Sequence, residues 1–513
     1  MQEKEFFASL SAEIANAVNK SAREKLIKQL VQTNPELAQA FEEAKHDAEA
    51  QSKFIRESKR FPLTAVGDVN TYAVFAETTR KVISSDGRVG VILPTGIATD
   101  DTCKNFFGDL VQKQALATLY DFENREAIFT AVHRSYKFSL LSISGKPIKQ
   151  GNFSFFLTQP RQIDNQSRSF QLSSQDIALL NPNTLTCPIF RTRTDAELTK
   201  KIYQRVPVLE NERTGSNSWG ISFMRMFDMA NDSGLFRNEA GDGLVPLYEG
   251  KMVQAFDHRA ASSVTNFDNS KRPGQPVETL LEQHQEPNYI PSSQYYVSKN
   301  EVKQRIGYKT KQPFLFAFKS VTSPTNERTV IASFLPMSAV AHSMSVILIA
   351  ESKDKLCNCL LANLNCLILD FIARQKVGGV NLSFFLLKQL PIIPPEAYTL
   401  DDIEFVSRRV LELVYTAWDM QPFAQDMGYD DEPFRWDSKR RALLRAELDA
   451  YYAKLYGLTR DELRYILDPA DVYGPEFPSE TFRVLKNNEM SQFGEYRTQR
   501  LVLEAWDRMF SRS

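Results

Sequence analysis

The pattern of apolar and polar positions first becomes regular between residues 67 and 100. Apolar residues recur at helical spacing from Tyr72 to Ile83, and a Ser-Asp-Gly turn at Ser85–Gly87 ends that segment. The next run, RVGVILP, is short and apolar, as in a strand. The pattern therefore predicts a helix followed by a strand.

The same alternation continues to about residue 150. CKNFFGDLVQKQ predicts an amphipathic helix, and LATLYDF and YKFSLLSIS predict two more strands. Such alternation is typical of a sheet that helices cover on both faces. We therefore expect residues 61–150 to form the later part of an α/β sheet. Residues 1–60 are rich in Ala, Glu, Lys and Gln and predict a solvated helical arm.

Beyond residue 150 the alternation of helix and strand stops. Residues 151–400 carry Gly, Pro and Asn at short intervals, which favours an irregular, mixed α+β domain. Residues 401–513 return to helical patterns, and Thr459 with Glu462 fits a capping box. The predicted fold class is therefore α/β, then mixed α+β, then helical.

Composition narrows the class of protein. The 513 residues are 42% hydrophobic and 24% charged, as in a globular chain. Five irregularly spaced cysteines give no disulfide framework, and no apolar stretch approaches the roughly 20 residues that cross a bilayer. No C-x-x-C or H-x-x-x-H pair is present, so Cys357, Cys359 and Cys366 are expected to be buried structural thiols. We expect a cytoplasmic protein without a metal site or a membrane partner.

Charge is segregated although the net charge is only −1. Residues 303–390 carry eleven Lys and Arg against four acids, a balance of +7, and residues 396–437 carry three Arg against eleven acids, a balance of −8. A basic segment of this kind suits contact with phosphates. An ordinary basic surface is the alternative.

Aromatic residues cluster in the segment YDFENREAIFTAVHRSYKFSLLSIS around Asn124. They are Tyr120, Phe122, Phe129, Tyr136 and Phe138. Such rings either pack a core or hold a flat ligand.

Several blocks of the chain resemble the part of a bacterial adenine-N6 DNA methyltransferase that follows its catalytic loop. In chain order they are GDVNTYAVFAE, DGRVGVILPTGI and FENREAIFTAVHRSYKFSLL. The group resembled is that of the large fused restriction-modification and bacteriophage-exclusion methylases. VPLYEGKMVQAFDHR, TNERTVIASFLP and QKVGGVNLSFFLLKQLPIIPP resemble its target-recognition domain, and SETFRVLKNNE with GEYRTQRLVLEAWD resembles its C-terminal block. The similarity runs over most of residues 60–510.

The resemblance implies four parts. They are a helical arm (1–60), the end of a Rossmann-like catalytic domain (61–150), a DNA target-recognition domain (151–400) and a helical C-terminal region (401–513). Such a methylase extrudes its adenine from the duplex and holds it between aromatic or apolar side chains. The resemblance makes Phe122, Phe129, Tyr136 and Phe138 candidates for that pocket, with core packing as the alternative for each ring.

Two motifs that the family places upstream do not occur in this sequence. One is a glycine-rich F-x-G-x-G loop, and the other is a Pro-Pro-aromatic loop that holds the target amine; the only Pro-Pro, Pro394-Pro395, is followed by Glu. The resemblance therefore implies that S-adenosylmethionine serves the complete enzyme, with no cofactor and no catalytic residue expected in this chain alone. A fragment, one half of a split enzyme whose other chain carries both motifs, and a DNA-binding remnant all fit.

The expected partner is double-stranded DNA. By charge and by position in the resembling blocks, the candidate contacts are Lys251, His258, Arg259, Arg328, Arg374, Lys376 and Lys388. Each has an alternative as a solvated surface charge. The alternative function is a non-catalytic DNA-specificity or scaffold subunit of a defence complex. A nuclease site at Glu249–Lys251 is disfavoured by its tight spacing and because Glu-x-Lys triplets are common.

Overall fold

The computed structural model describes residues 3–17, 20–67, 69–265, 274–377 and 379–510. The predicted blocks GDVNTYAVFAE and QKVGGVNLSFFLLKQLPIIPP each contain one residue, Asp68 and Gly378, that lies outside the described residues. The chain divides into two compact units, unit 1 (Met1–Gly151) and unit 2 (Asn152–Ser513).

Unit 1 begins with helices, as the composition predicted. They are α1 (Glu3–Phe7), α2 (Ala12–Ala15), α3 (Lys20–Thr33) and α4 (Pro35–Glu57). These helices are more than a solvated arm, because they enclose a small core of their own around Phe7, Ile14 and Phe41. The rings of Phe7 and Phe41 stack with centroids 5.0 Å apart.

The predicted elements of residues 67–150 are confirmed. They are α5 (Thr71–Val82), β1 (Arg88–Pro94), a short α6 (Gly96–Thr99), α7 (Lys104–Gln112), β2 (Leu116–Glu123) and β3 (Lys137–Ser144). Hydrogen bonds from the Ser84 hydroxyl to Asp86 and from the Gly87 amide to the Ser84 carbonyl close the turn after α5. On α5, buried Glu77 accepts hydrogen bonds from the amides of Leu63 and Thr64 at 3.2 and 3.1 Å, which fixes the segment before the helix.

The order of these strands could not be read from the pattern. β3 lies between β1 and β2 and is antiparallel to both, so β1 and β2 run parallel to each other. The carboxyl ends of β1 and β2 and the start of β3 therefore meet at one end of the sheet.

Unit 2 is a mixed structure with several small sheets. Its strands, the first of which begins at the division between the units, are β4 (Gln150–Leu157), β5 (Phe170–Ser173), β6 (Ser222–Met224), β7 (Leu244–Tyr248), β8 (Ala261–Thr265), β9 (Gly274–Glu278), β10 (Tyr296–Ser298), β11 (Phe314–Lys319), β12 (Ala332–Pro336), β13 (Ala339–Val340) and β14 (Met344–Leu348). β4 and β5 are neighbours, β12-β11-β14-β6 form an antiparallel sheet, β10-β7-β13 a mixed one, and β8 and β9 a pair. This mixture agrees with the expected α+β character.

Most of the helices of unit 2 lie in its C-terminal part. They are α8 (Ser174–Leu180), α9 (Arg193–Arg205), α10 (Leu281–Gln285), α11 (Lys299–Ile306), α12 (Cys357–Asn365), α13 (Leu367–Arg374), α14 (Phe384–Lys388), α15 (Leu400–Val414), α16 (Gln421–Asp426), α17 (Ser438–Leu455), α18 (Arg460–Leu467), α19 (Pro469–Tyr473), α20 (Arg483–Phe493) and α21 (Arg497–Phe510). The predicted capping box is confirmed at the start of α18, where Thr459 and Glu462 bond reciprocally.

The apolar segment that contains Cys357, Cys359 and Cys366 forms two helices, α12 and α13, which break at Cys366, and both are buried. All five cysteines are buried thiols, and burial raises the pKa of the Cys359 and Cys366 thiols to about 12. Within the described residues no single helix is long and apolar enough to span a membrane, although the bent pair α12–α13 has the length and composition to do so.

Candidate functional site

The predicted aromatic residues meet at the end of the unit 1 sheet. Pairing places Pro94 of β1, Phe138 of β3 and Phe122 of β2 in one row across the three strands. This row lies at the carboxyl ends of β1 and β2, the position where α/β sheets commonly bind ligands. The arrangement follows from β3 entering between two parallel strands.

Three of the four rings form a continuous cluster. Phe122 and Phe138 stack with centroids 5.3 Å apart and planes 7° from parallel, and Phe129 meets Phe138 edge-on at 4.9 Å. Phe122 is only 2% exposed, whereas Phe129 is 38% and Tyr136 is 64% exposed. Phe122 is therefore a core residue of the cluster, and Phe129 and Tyr136 are the rings that solvent or a ligand can reach.

Asn124 holds the connection between β2 and β3 in place. Its side-chain amide donates to the carbonyls of Phe129 and Val132 at 2.9 and 2.8 Å, and its side-chain oxygen accepts from the Phe129 amide at 2.9 Å. The Asn124 amide donates to the Tyr136 carbonyl at 3.0 Å. Because Asn124 is fully buried and uses both polar atoms of its side chain in this way, it positions Phe129 and Tyr136 without contacting solvent.

Polar groups lie in the row of the sheet next to the aromatic row. The Thr95 hydroxyl, directly after β1, donates to the carboxylate of Asp121 on β2 at 2.5 Å, and both residues are buried. In the same row the Ser139 hydroxyl donates to the Leu93 carbonyl at 3.3 Å. These bonds tie the ends of the three strands together.

One glycine of unit 1 stands where a cofactor cradle could form. Among its described residues, Gly96 lies between a strand and a helix. A Cβ at Gly96 would meet the Asp100 carboxylate and lie 3.3 Å from the Tyr72 hydroxyl, so the protein itself fills the space beside this glycine. A cradle for a cofactor such as S-adenosylmethionine needs an open backbone at such a turn, which Gly96 does not give. That this chain alone holds no cofactor stays a prediction.

Two of the predicted DNA contacts in unit 2, Arg328 and Arg374, surround buried Asp370. The Arg374 guanidinium donates to Asp370 at 3.0 Å and to the carbonyls of Pro324, Thr481, Asn326 and Glu327 at 2.6 to 3.0 Å. Arg328 lies 3.6 Å from the same carboxylate and donates to the carbonyl of Asn365. Both side chains are 8% exposed. All three guanidinium nitrogens of Arg374 donate inside the protein, whereas Arg328 Nε faces Asp370 without a hydrogen bond.

His258 and Arg259 are also buried. His258 Nε2 lies 3.0 Å from both carboxylate oxygens of Asp419. Arg259 is fully buried, and its guanidinium donates to four carbonyls on two chain segments, those of His284, Glu286 and Tyr289 and that of Thr416. A side chain with no surface cannot reach a duplex, so this placement gives His258 and Arg259 a structural role.

The three predicted lysines are partly buried and paired. Lys251 donates to the Gly274 carbonyl and pairs with Glu249, both at 3.0 Å. Lys376 donates to the carbonyl of Leu180 and the side chain of Asn181, and burial lowers its pKa to about 7. Lys388 bridges Glu210 and Glu212 at 3.2 and 2.7 Å. Each ammonium already has a protein partner.

Two exposed cations of the basic segment lie at the end of α11, which the sequence did not single out. Lys303 and Lys309 are exposed, and Tyr308 between them is fully exposed. Gly307 has φ of +51°, which turns the chain so that Tyr308 projects from the surface. The signal in the sequence was the turn RIGYKTK, in which an aromatic residue stands among lysines with no apolar neighbour on either side.

The carboxylate of the Glu249–Lys251 pattern is engaged within the protein. Glu249 accepts a 2.8 Å hydrogen bond from the Ser263 hydroxyl besides its pair with Lys251. Within the described ranges, no group of three or more His, Cys, Asp or Glu side chains is placed to hold a metal ion.

Comparison with known proteins gives distant likenesses. No protein-family model matches the chain, and no curated protein matches it in sequence. Its structure is similar to the type IIG restriction endonuclease BpuSI (TM-score 0.26, 12% identity) and to the type IIL restriction-modification enzyme MmeI in complex with DNA (TM-score 0.41, 9% identity). The matches cover 81% and 85% of this chain and 51% and 55% of the other two, so the chain spans about half their length.

Proposed function

We propose that this chain supplies DNA binding and target recognition to a site-specific adenine-N6 DNA methyltransferase of a restriction-modification or phage-defence system. The observation that carries the proposal is the aromatic cluster at the carboxyl ends of β1 and β2. Exposed Phe129 and Tyr136 stand there on a connection that Asn124 fixes. The proposal is supported because ligands commonly bind at this end of an α/β sheet and a base turned out of a duplex stacks on aromatic side chains.

In this proposal the rings have separate roles. Phe129 and Tyr136 contact the extruded base, while Phe122 supports Phe138 from below and Phe138 supports Phe129. In this proposal methyl transfer belongs to the complete enzyme, because the sequence lacks both the glycine-rich loop and the loop that holds the target amine.

The proposed contacts with duplex DNA differ from those that charge alone selected. Since Arg259, Arg328 and Arg374 are engaged within the protein, the exposed group Lys303, Tyr308 and Lys309 is the better candidate for contact with phosphates. Lysine side chains at a projecting turn contribute affinity without sequence information.

The experiment that tests the proposal is a salt titration of DNA binding. The chain is mixed with a fluorescent duplex of about 40 base pairs of mixed sequence, and anisotropy is followed from about 50 to about 300 mM KCl. We expect log K to fall linearly with log salt, with a slope of about −0.9 for each phosphate neutralised. Absence of a complex at the lowest salt and micromolar protein would overturn DNA binding by this chain.

A second candidate is a non-catalytic scaffold subunit of a defence complex. The observation that favours it is that all seven cations predicted to bind DNA have partners within the chain. A scaffold that contacts only protein gives no DNA complex at any salt concentration, so the same titration separates the two functions.

A further inference from the structure

Unit 2 contains a cleft that the proposed function does not use. The cleft has a volume of about 590 Å³ and lies between helix α8, the end of helix α9 and the segment 207–216. Clefts of about 300–1,000 Å³ commonly hold small ligands. This cleft is therefore large enough for a ligand, and its lining indicates which kind.

One part of the lining is apolar. Leu179 of α8 contributes to it together with Pro207 and Val208, which follow α9. The ring of Tyr203 also borders the cleft, and its hydroxyl donates to the Gln389 carbonyl at 2.7 Å. Because that hydroxyl is engaged, Tyr203 offers the cleft the carbon atoms of its ring. Such a lining suits the flat, weakly polar face of a ring.

The charged residues of the lining all have the same sign. Arg205 and Arg213 border the cleft, and no Asp or Glu is among the described residues that line it. The carboxylates closest to Arg213 in the sequence, those of Glu210 and Glu212, are both held by Lys388 at 3.2 and 2.7 Å. The lining therefore carries a positive charge that it does not itself neutralise, and this charge favours an anionic ligand.

The Arg213 side chain is available to a ligand and stands on a well-fixed turn. It is exposed, and within the described residues it has no hydrogen bond or ion pair. Asn211 and Ser216 exchange backbone hydrogen bonds of 2.8 and 3.1 Å across the turn, and the Asn211 side-chain oxygen accepts from the amides of Arg213 and Thr214 at 3.2 Å. An anion bound by Arg213 therefore does not have to order the backbone of this turn.

Arg205 is held in place by one end of its guanidinium. Its Nε donates to the Leu455 carbonyl at 3.2 Å, and a Cβ added at Gly457 would lie 2.7 Å from its Cδ, so the side chain lies against Gly457. In the described part of the chain its two terminal nitrogens have no partner. Such nitrogens form a fork that matches the oxygens of a phosphate. Gln175 and Gln204, both exposed, add amides that can donate to and accept from the edge of a base.

We propose that this cleft binds a nucleotide. The phosphate pairs with Arg205 and Arg213, and the base lies on the apolar lining within reach of the Gln175 and Gln204 amides. A neutral apolar ligand would leave the two guanidinium groups without a partner, and inorganic phosphate would leave the apolar lining uncovered. The cleft shares no residue with the aromatic cluster of unit 1 or with the exposed group at the end of α11, so the inference does not rest on the proposed function.

The test is calorimetric titration of the full chain with the common nucleoside monophosphates, the free nucleosides and inorganic phosphate. We expect at least one monophosphate to bind with a Kd of about 100 μM or lower. Its nucleoside and inorganic phosphate should each bind at least about tenfold more weakly, because each makes only part of the contacts.

Variants locate the binding. Arg213→Gln should weaken nucleotide binding about tenfold or more, because a charge-assisted hydrogen bond is lost. Thermal unfolding should not change, since the Arg213 side chain has no partner in the described chain. Arg435→Gln is the matched control, because Arg435 is exposed but does not line the cleft, and it should leave the affinity unchanged.

Three results would overturn the proposal. They are the absence of binding by every monophosphate at about 1 mM, binding of inorganic phosphate as tight as that of the nucleotide, and equal losses in the two arginine variants. Competition with a single-stranded oligonucleotide identifies the source of the ligand. Displacement of the bound monophosphate supports the cleft as a site for a nucleotide of a DNA strand, and its retention supports the cleft as a site for a free nucleotide.

Discussion

Two basic regions of unit 2 come from the same stretch of sequence and behave differently. Arg328 and Arg374 lie around Asp370 inside the protein, whereas Lys303 and Lys309 flank an exposed tyrosine at the end of α11. A count of charges over residues 303–390 treats all four alike. What separates them is burial, since the Arg328 and Arg374 side chains are 8% exposed whereas Lys303 and Lys309 are exposed, although the Lys309 ammonium also donates to the Arg305 carbonyl at 3.0 Å. A buried guanidinium surrounded by carbonyls offers nothing to a phosphate.

The internal region is held together by geometry that only arginine provides. The guanidinium of Arg374 donates to one carboxylate and four carbonyls, which joins the segment 324–327 and Thr481 to helix α13. Asp370 in turn accepts from the amides of Thr329 and Val330 at 2.7 and 2.6 Å. Removal of the arginine leaves a buried carboxylate short of a partner, which costs more than the lost contacts themselves.

The largest expected effect is therefore on folding. Arg374→Ala should lower the free energy of unfolding by about 3–5 kcal/mol, measured by urea denaturation. Arg408→Ala is the control, because Arg408 pairs with Glu404 on the exposed face of α15 and should cost no more than about 0.5 kcal/mol. Unchanged stability of Arg374→Ala together with weaker DNA binding would mean that Arg374 is a DNA contact after all.

The same distinction between buried and exposed groups applies to the rings of unit 1. Phe122→Ala removes a buried ring from the stack with Phe138 and should cost about 3 kcal/mol of stability. Tyr136→Ala removes an exposed ring and should cost less than about 1 kcal/mol. Thermal unfolding measures both changes. In the complete enzyme that we propose, we expect Tyr136→Ala to lower methyl transfer more than duplex binding, and equal losses would exclude a base-contacting role for Tyr136.

The exposed lysines should affect DNA binding and leave folding unchanged. The double substitution Lys303→Ala and Lys309→Ala is expected to weaken binding about tenfold or more at low salt and to reduce the salt slope by about 2, because two phosphate contacts are lost. Lys388→Ala is the matched control, since Lys388 bridges Glu210 and Glu212 and should leave both quantities unchanged. The same loss in the control, or no loss in the double variant, would place the DNA elsewhere.

Many helices and strands of unit 1 could be predicted, because apolar residues recur at one spacing in helices and at another in strands. α5, β1 and β2 follow from the apolar spacing and from the turn at Ser84–Gly87. The place of β3 between β1 and β2 could not be predicted, because alternation shows which face a side chain occupies and not which strand lies beside it. The break between α12 and α13 at Cys366 could not be predicted either, since both helices are buried almost throughout and the apolar residues continue across the break.

The clustering of the aromatic residues could be predicted from the sequence, but the hydrogen-bond acceptors that engage the basic residues could not. The aromatic residues are close in sequence and on neighbouring strands, so their clustering followed from local spacing. The groups that engage Arg374 and Arg259 are mostly backbone carbonyls from distant segments, which no residue letter reveals. Charge alone does not predict a DNA-binding surface at such positions. Every residue has a backbone carbonyl that can accept a hydrogen bond from an arginine or lysine and so hold its side chain inside the protein.

The smallest expected effect concerns Lys376 and its pH dependence. Burial lowers the pKa of Lys376 to about 7 from the ordinary value of 10.5, so the folded chain releases this proton at a lower pH than the unfolded chain does. Above pH 7 the unfolded state holds more protons, and stability rises with pH. The free energy of unfolding of the native chain minus that of Lys376→Met should therefore increase by about 1 kcal/mol between about pH 7 and about pH 8. Lys388→Met is the control. Partial burial acts to lower the pKa of Lys388, but hydrogen bonds to Glu212 and Glu210 raise it above its ordinary value. The difference in the free energy of unfolding between the native chain and Lys388→Met is therefore not expected to increase between these two pH values. Urea denaturation at the two pH values decides the matter, and a difference that does not change with pH would mean that Lys376 keeps its proton in the folded chain and remains available as a cation.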